Sequence, residues 1–316
     1  MRFIEDMSVE ERKKYFEERT RANKEQQELV GVFAKKTGDY KYRCEQTVVN
    51  KINGIVSSHA ETKREFGINL SVENNLLIVK CKMTDNQIVV NPAQLNEVMS
   101  LISEVDYIKS NATLRLDPKT GKIGDVINLE QIRKDWHSHK PDIISRYGFL
   151  NDPKAEENLQ RFFELVDEPL KTKAGFIKDL ESKIFFDLFF DKFLVLDNMS
   201  VDNNCNHTFY SYLFDQQAFE SIIDQSKQQE ANGWTRIRRS AEKCETKWKV
   251  EDVKERYNQK YKAMIGYEFS DYDFTFRQDI LLNEKAMPEE IKVTIVEEVK
   301  NNIEIYIDYK LYKIKD

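Results

Sequence analysis

Trp234-Thr235-Arg236-Ile237-Arg238-Arg239 sets three guanidinium groups beside an indole. Arginine forks hold carboxylate or phosphate through paired N–H bonds, and an indole adds stacking or apolar contact. The ordinary alternative is a solvated mixed-charge element with Trp234 turned into the core. The 49 basic residues are outnumbered by 55 acidic ones, giving a formal charge of -6, so the chain as a whole has no attraction for nucleic acid, and no complete nucleic-acid motif accompanies the patch. Nucleic acid is therefore disfavoured as a partner. A carboxylate-bearing protein surface fits Trp234, Arg236, Arg238 and Arg239 better, and these four are the candidate partner-binding residues.

Other reactive side chains do not assemble into a motif. The histidines are His59, His137, His139 and His207; His137 and His139 point apart on an ideal helix, with no cysteine or acidic spacing to complete a shell. Cys205-Asn206-His207 supplies two donors that Cys244 can join only through folding. Neither arrangement names a metal. Lys119-Thr120-Gly121-Lys122 lacks the earlier glycine and the following Ser or Thr of a phosphate loop, and its glycine lies between strands, which makes it a hairpin turn. Asp117 and Asp125 lack the alternating oxygen ligands of a calcium loop. Cys81 sits in an apolar strand as a small hydrophobe, and Cys44, Cys205 and Cys244 need a base that sequence spacing does not supply. The serines lack a glycine-bracketed elbow. Glu297 and Glu298 are adjacent on a strand and face opposite sides. No cofactor and no metal is expected, and an enzyme is the less favoured reading.

The elements that carry these residues are legible in part. Ser8 with Glu11 forms a capping box for a charged helix over 8–30, whose sparse apolar positions suit either a narrow contact along the body, the favoured reading, or docking to something else. Tyr40–Asn50 and Ile55–Leu70 read as a hairpin through Asn53-Gly54. Ser71–Lys82 and Gln87–Val90 follow as strands separated by a turn at Asp85-Asn86. Asn91-Pro92 starts a helix over 93–102, the asparagine capping it. Ala112–Trp136 then turns from a hairpin into a helix capped by Asn128, with Gln131 at the reciprocal position. Pro141, Asp152-Pro153 and Ala174–Phe193 mark further helices, the last carrying the apolar run 184–196, whose end after Leu188 also suits a buried strand. His207–Leu213 is a short strand, Phe219–Gln229 is read as a helix, and Lys247–Lys262 is a charged element. Tyr272–Leu282, Ile291–Val299 and Ile303–Ile314 are strands, the last strictly alternating.

These elements give an α+β fold, with mostly antiparallel sheet regions at both ends and a central helical layer. The expected units are an N-terminal charged helix (1–37), a sheet region with a crossing helix (38–128), a helical layer (129–196) and a sheet-rich region (197–316). No run of about 18 apolar residues offers a membrane span, and four widely separated cysteines without a CxxC pair fit reduced thiols in the cytoplasm. The function expected is noncatalytic protein binding or assembly. The alternative is an amphiphile carrier, in which strands curve over helices and leave a cradle for a small apolar ligand, unless Phe185, Phe189 and Phe193 fill it.

Overall fold

Asn53 and Gly54 take φ of 52° and 76°, the two-residue hairpin geometry that matches strand twist. β1 (Gly38–Ile52) therefore returns directly as β2 (Ile55–Glu73). Asn74 and Asn75, also at positive φ, turn the chain again into β3 (Leu76–Asn91). The polar stretch at Asp85-Asn86, expected as a turn, lies inside β3, paired with Glu65 and Arg64; the register slips between Glu65 and Phe66, which leaves Thr84 as the extra residue of a bulge. Asparagine tolerates the left-handed region, which is why the turn sits at 74–75. These coordinates come from a computed structural model that describes residues 8–147, 153–196, 205–215, 217–242 and 250–314.

After a 3-10 turn at Ala93–Leu95 come α2 (Asn96–Ser110), β4 (Ala112–Leu116) and β5 (Ile123–Val126). Pro92, not Asn91, stands at the head of the 3-10 turn, and no side chain caps it. α3 (Leu129–Tyr147) runs through Pro141 without stopping, which corrects the expected break there. Asn128 does not cap α3 with its side chain. Its Oδ1 accepts from the Thr113 backbone at 2.7 Å and its Nδ2 donates to the Asn111 carbonyl at 2.9 Å, so it ties the helix start to β4. Gln131 donates to Asp135 instead of reaching back.

α4 (Pro153–Leu170), α5 (Lys173–Glu181) and α6 (Ile184–Phe189) follow, with a 3-10 turn at Lys192–Leu194. The expected single helix over 174–193 is thus three pieces. Phe185, Phe186, Leu188, Phe189, Phe190 and Phe193 are all buried, and adjacent residues cannot all face one side of a continuous helix. Breaking it lets every ring reach the core. β6 (Cys205–Tyr210), β7 (Ala218–Gln229), β8 (Thr235–Glu242), α7 (Val250–Tyr257), β9 (Tyr272–Leu282), β10 (Pro288–Val299) and β11 (Ile303–Lys313) complete the chain. β7 replaces the helix expected over 219–229: Phe219, Ser221, Ile223 and Gln225 alternate inward along it, a period of two in which Ser221 and Gln225 interrupt the apolar positions.

Among the described residues the strands form one antiparallel sheet in the order β5-β4-β3-β2-β1-β11-β10-β9-β8-β7-β6. The two sheet regions do not stand at opposite ends of a helical layer: the first strand pairs with the last, Cys44 opposite Leu311 and Val48 opposite Ile307. Alternation along a strand reveals its faces but not its neighbour, so this junction was invisible in the sequence. Tyr42 packs against Phe189 and Phe66 stacks on Phe185, which seats α6 on the inner face of β1 and β2. Ala218–Ile223 of β7 pair with β6, whereas Asp224–Gln229 pair with β8. The strand turns a corner there. Phe209 of β6 thereby comes within 5.0 Å and 4.8 Å of Phe274 and Phe276, centroid to centroid, on β9.

α1 (Val9–Ala34) has its Ser8–Glu11 capping box. At its end Val30 and Phe33 pack on the core, and just beyond it the buried Lys36 ammonium donates to the carbonyls of Phe193 and Leu196. Apart from the half-buried Tyr15, the side chains described between Ser8 and Glu28 are exposed. No helix among the described residues is long and apolar enough to cross a membrane.

Candidate functional site

Strand alternation divides the arginine patch. Ile237 is fully buried, which turns Arg239 inward with it and leaves Arg236 and Arg238 on the outer face. Trp234 is half-buried just before β8, its backbone N–H donating to Asn232 Oδ1 at 3.0 Å. Arg236 donates to Glu230 at 2.7 Å and to Asp279 at 2.6 Å, and these carboxylates raise its pKa further. Arg238, with 61% of its side chain exposed, reaches Asp279 at 3.4 Å. Arg239 pairs with Asp191 and also meets Gln225 at 3.1 Å and Gln278 at 3.4 Å. Two of the three guanidinium groups therefore share a surface, and the third belongs to the interior.

Around that surface the outer faces of β7 to β10 frame an open groove of about 400 Å³. Register explains its shape. Asp224, Ser240, Arg277 and Thr294 stand opposite one another in one row, and Ser226, Arg238, Asp279 and Lys292 in the next. The short Ser226, Ser240 and Thr294 leave space between the long cations. Arg277 and Lys292 were not singled out from the sequence, because their approach to Arg238 depends on strand order and register.

On the inner side, Arg239 joins a second polar cluster. Lys122 Nζ donates to the Asp187 carbonyl at 3.1 Å and to its carboxylate at 3.3 Å, and His207 Nε2 lies 3.5 Å from the same carboxylate. Burial alone would raise the Asp187 carboxyl, but Lys122 and His207 beside it hold it at about 2. Asp191 is lowered against the same burial by Arg239 and Lys122. The cluster links the turn before β5, α6, β6 and β8. Gly121 brings the backbones together: at φ 70°, a Cβ on it would stand 2.2 Å from the Asp191 carbonyl oxygen. The loop around it is an Asp117 turn, whose Oδ1 accepts from the backbones of Lys119 and Thr120.

The remaining candidates stay dispersed. His139 pairs with Glu104 at 2.7 Å while His137 is exposed one turn edge away. Cys44 and Cys81 are buried free thiols, and burial pushes Cys44 to about 12 and Cys81 up as well. Cys244 lies outside the described residues. Glu297 and Glu298 do face opposite sides. Glu297 is wholly buried, its carboxyl raised by burial and pulled back by Ser211 and the backbone N–H groups of Tyr212 and Leu213. It anchors the loop after β6. Among the described residues no group of three His, Cys, Asp or Glu side chains could hold a metal.

The inner face of the sheet is filled by the phenylalanines of α6, and a space of only about 20 Å³ remains between α6 and β9–β10. A separate cleft of about 590 Å³ lies between the β6–β7 hairpin and α7, lined by Phe214, Phe219, Val253 and Arg256 among others. In comparison with known proteins, no family model matches the chain and no curated protein matches it.

Proposed function

We propose that this chain is a noncatalytic protein-binding or assembly module that presents the outer face of β7 to β10 to a carboxylate-bearing surface of its partner. The observation that carries this reading is the open groove of about 400 Å³ lined by Arg238, Arg277 and Lys292, with Arg236 beside it on the same face. Arg239 serves that face indirectly, by holding β8 to Asp191. Buried thiols at Cys44 and Cys81 are in keeping with a reducing compartment such as the cytoplasm.

The test is native mass spectrometry of complexes isolated gently from the protein's own cells, comparing the wild type with Arg236→Gln/Arg238→Gln. Arg239 is left intact because its inward ion pair belongs to the core. A defined heteromer that the folded double variant loses is the expected result. A heteromer retained by the variant overturns this placement, and a wild type with no protein partner overturns the reading itself.

A second reading, an amphiphile carrier, draws support from the cleft of about 590 Å³ at α7 and not from the space under α6, which is too small for an acyl chain. A small apolar adduct on the monomer in the same spectra would favour it.

A further inference from the structure

Cations on the outer sheet face are repeatedly matched by acids within the sheet. Arg43 pairs with Glu65 directly across the β1–β2 ladder, and Lys51 meets Glu304 at 2.7 Å across β1–β11. Arg238 and Arg236 share Asp279, while Lys292 and Lys310 share Glu290 at 2.7 Å and 3.3 Å. Arg277 departs from this pattern. It is exposed, and among the described residues it has neither an ion pair nor a hydrogen-bonding partner. The positions directly opposite it are Ser240 on β8 and Thr294 on β10, both short and neutral.

We infer that Arg277 is the seat for an acidic side chain of an extended partner segment, with Ser240 and Thr294 as flanking hydroxyl donors. The inference rests on the protein-binding reading above and names the chemistry of the partner. Charge complementarity selects it. Arg238 on β8 and Lys292 on β10 are diagonal neighbours of Arg277, about 7–8 Å away, and Glu242 is the other diagonal neighbour on β8, so a carboxylate over Arg277 meets three cations on the side toward Arg238 and Lys292 and an acid only on the other. The nearest acid on the same strand, Asp279, already accepts from Arg236 and Arg238. Asp224 and Asp308 end the same row on β7 and β11, two strands from Arg277 on either side and about 10 Å away. They disfavour a polyanion laid along the row and favour a single carboxylate at its centre. A guanidinium fork takes such a group through two parallel N–H bonds, which an ammonium cannot reproduce.

The probe is a fluorescein-labelled peptide of Gly and Ser residues with one central Glu, titrated onto the full chain by anisotropy at low salt. Its Gln counterpart and a phosphoserine counterpart are titrated in parallel. The Glu peptide is expected to bind and the Gln peptide to bind at least tenfold more weakly. Arg277→Ala should weaken the Glu peptide about tenfold, and Arg277→Lys should recover only part of that loss. Arg277 is exposed, so these variants leave the core untouched, and matching circular dichroism checks their fold. Equal binding of Glu and Gln peptides, binding unaffected by Arg277→Ala, or binding of the phosphoserine peptide alone would each overturn the seat. If the cellular heteromer forms and needs Arg236 and Arg238 while the peptides do not bind, the seat fails and the protein-binding reading stands. If the Glu peptide binds through Arg277 but no heteromer exists in cells, that reading fails and the seat stands.

Discussion

Asp187 is a buried carboxylate held by a defined set of neighbours, Lys122 and His207. Its folded value of about 2 lies below the ordinary aspartate value of 3.8, so the native state binds the proton less readily than the unfolded chain. The stability it contributes is present above the unfolded value and is lost as pH falls through about 2. The difference corresponds to roughly 2 kcal/mol at neutral pH. Asp187→Asn should therefore lower the urea unfolding free energy by about that amount at pH 7, and the gap between variant and wild type should close between pH 4 and pH 2. A gap that stays constant across that range would place the contribution elsewhere. Sequence spacing gave no hint of this pairing, because Lys122 and His207 lie 65 and 20 residues away on different elements. The turn at Lys119–Lys122 was readable as a turn; what it touches was not.

Gly121 illustrates constraint at the scale of elements. The β4–β5 turn and the chain before the 3-10 turn at Lys192–Leu194 approach so closely there that a methyl group has no room, and the positive φ adds strain for any L side chain. Gly121→Ala should cost about 2–4 kcal/mol, the sum of a left-handed backbone and overpacking, read as a lower denaturant midpoint with an unchanged slope. Phe189→Ala should cost about 3–5 kcal/mol by the same measurement, since the ring is fully buried between Tyr42, Phe185 and Phe190. The burial of that ring was legible in the apolar run 184–196. The breaks in its helix were not, because three- and four-residue spacings fitted a continuous helix equally well. β7 was misread for a related reason: Ser221 and Gln225 point inward, where a hydrophobic period would have disclosed a strand. The regular isoleucines of β11, by contrast, announced both the strand and its inner face.

At the scale of the molecule, the first and last strands of the sheet stand next to each other at its centre. β1 has β2 on one side and β11 on the other, so neither meander can unfold without exposing the flank of its neighbour. Truncation after Lys300, which removes β11, should therefore disorder the strands of both halves, seen as loss of near-ultraviolet dichroism and of a cooperative urea transition. Survival of a cooperative transition in the N-terminal half would show that β1 to β5 form an independent unit. The outer face of this sheet is also where cations from β8, β9 and β10 converge, and that convergence is a property of strand order alone. Arg236 and Arg238 were visible as a local cluster; Arg277 and Lys292 entered it only once the register was known.

The antiparallel junction of β1 and β11 has a mechanical side. Tyr42 faces Lys313 and Ile52 faces Ile303, and the Ile314 N–H donates to the Lys41 carbonyl at 2.8 Å, so the outward-leading ends of both strands lie side by side. Tension applied between Gly38 and Ile314 loads the ladder one rung at a time from that end, as a zipper is opened, whereas tension between Gly38 and Ile303 would shear all the rungs together and meet far greater resistance.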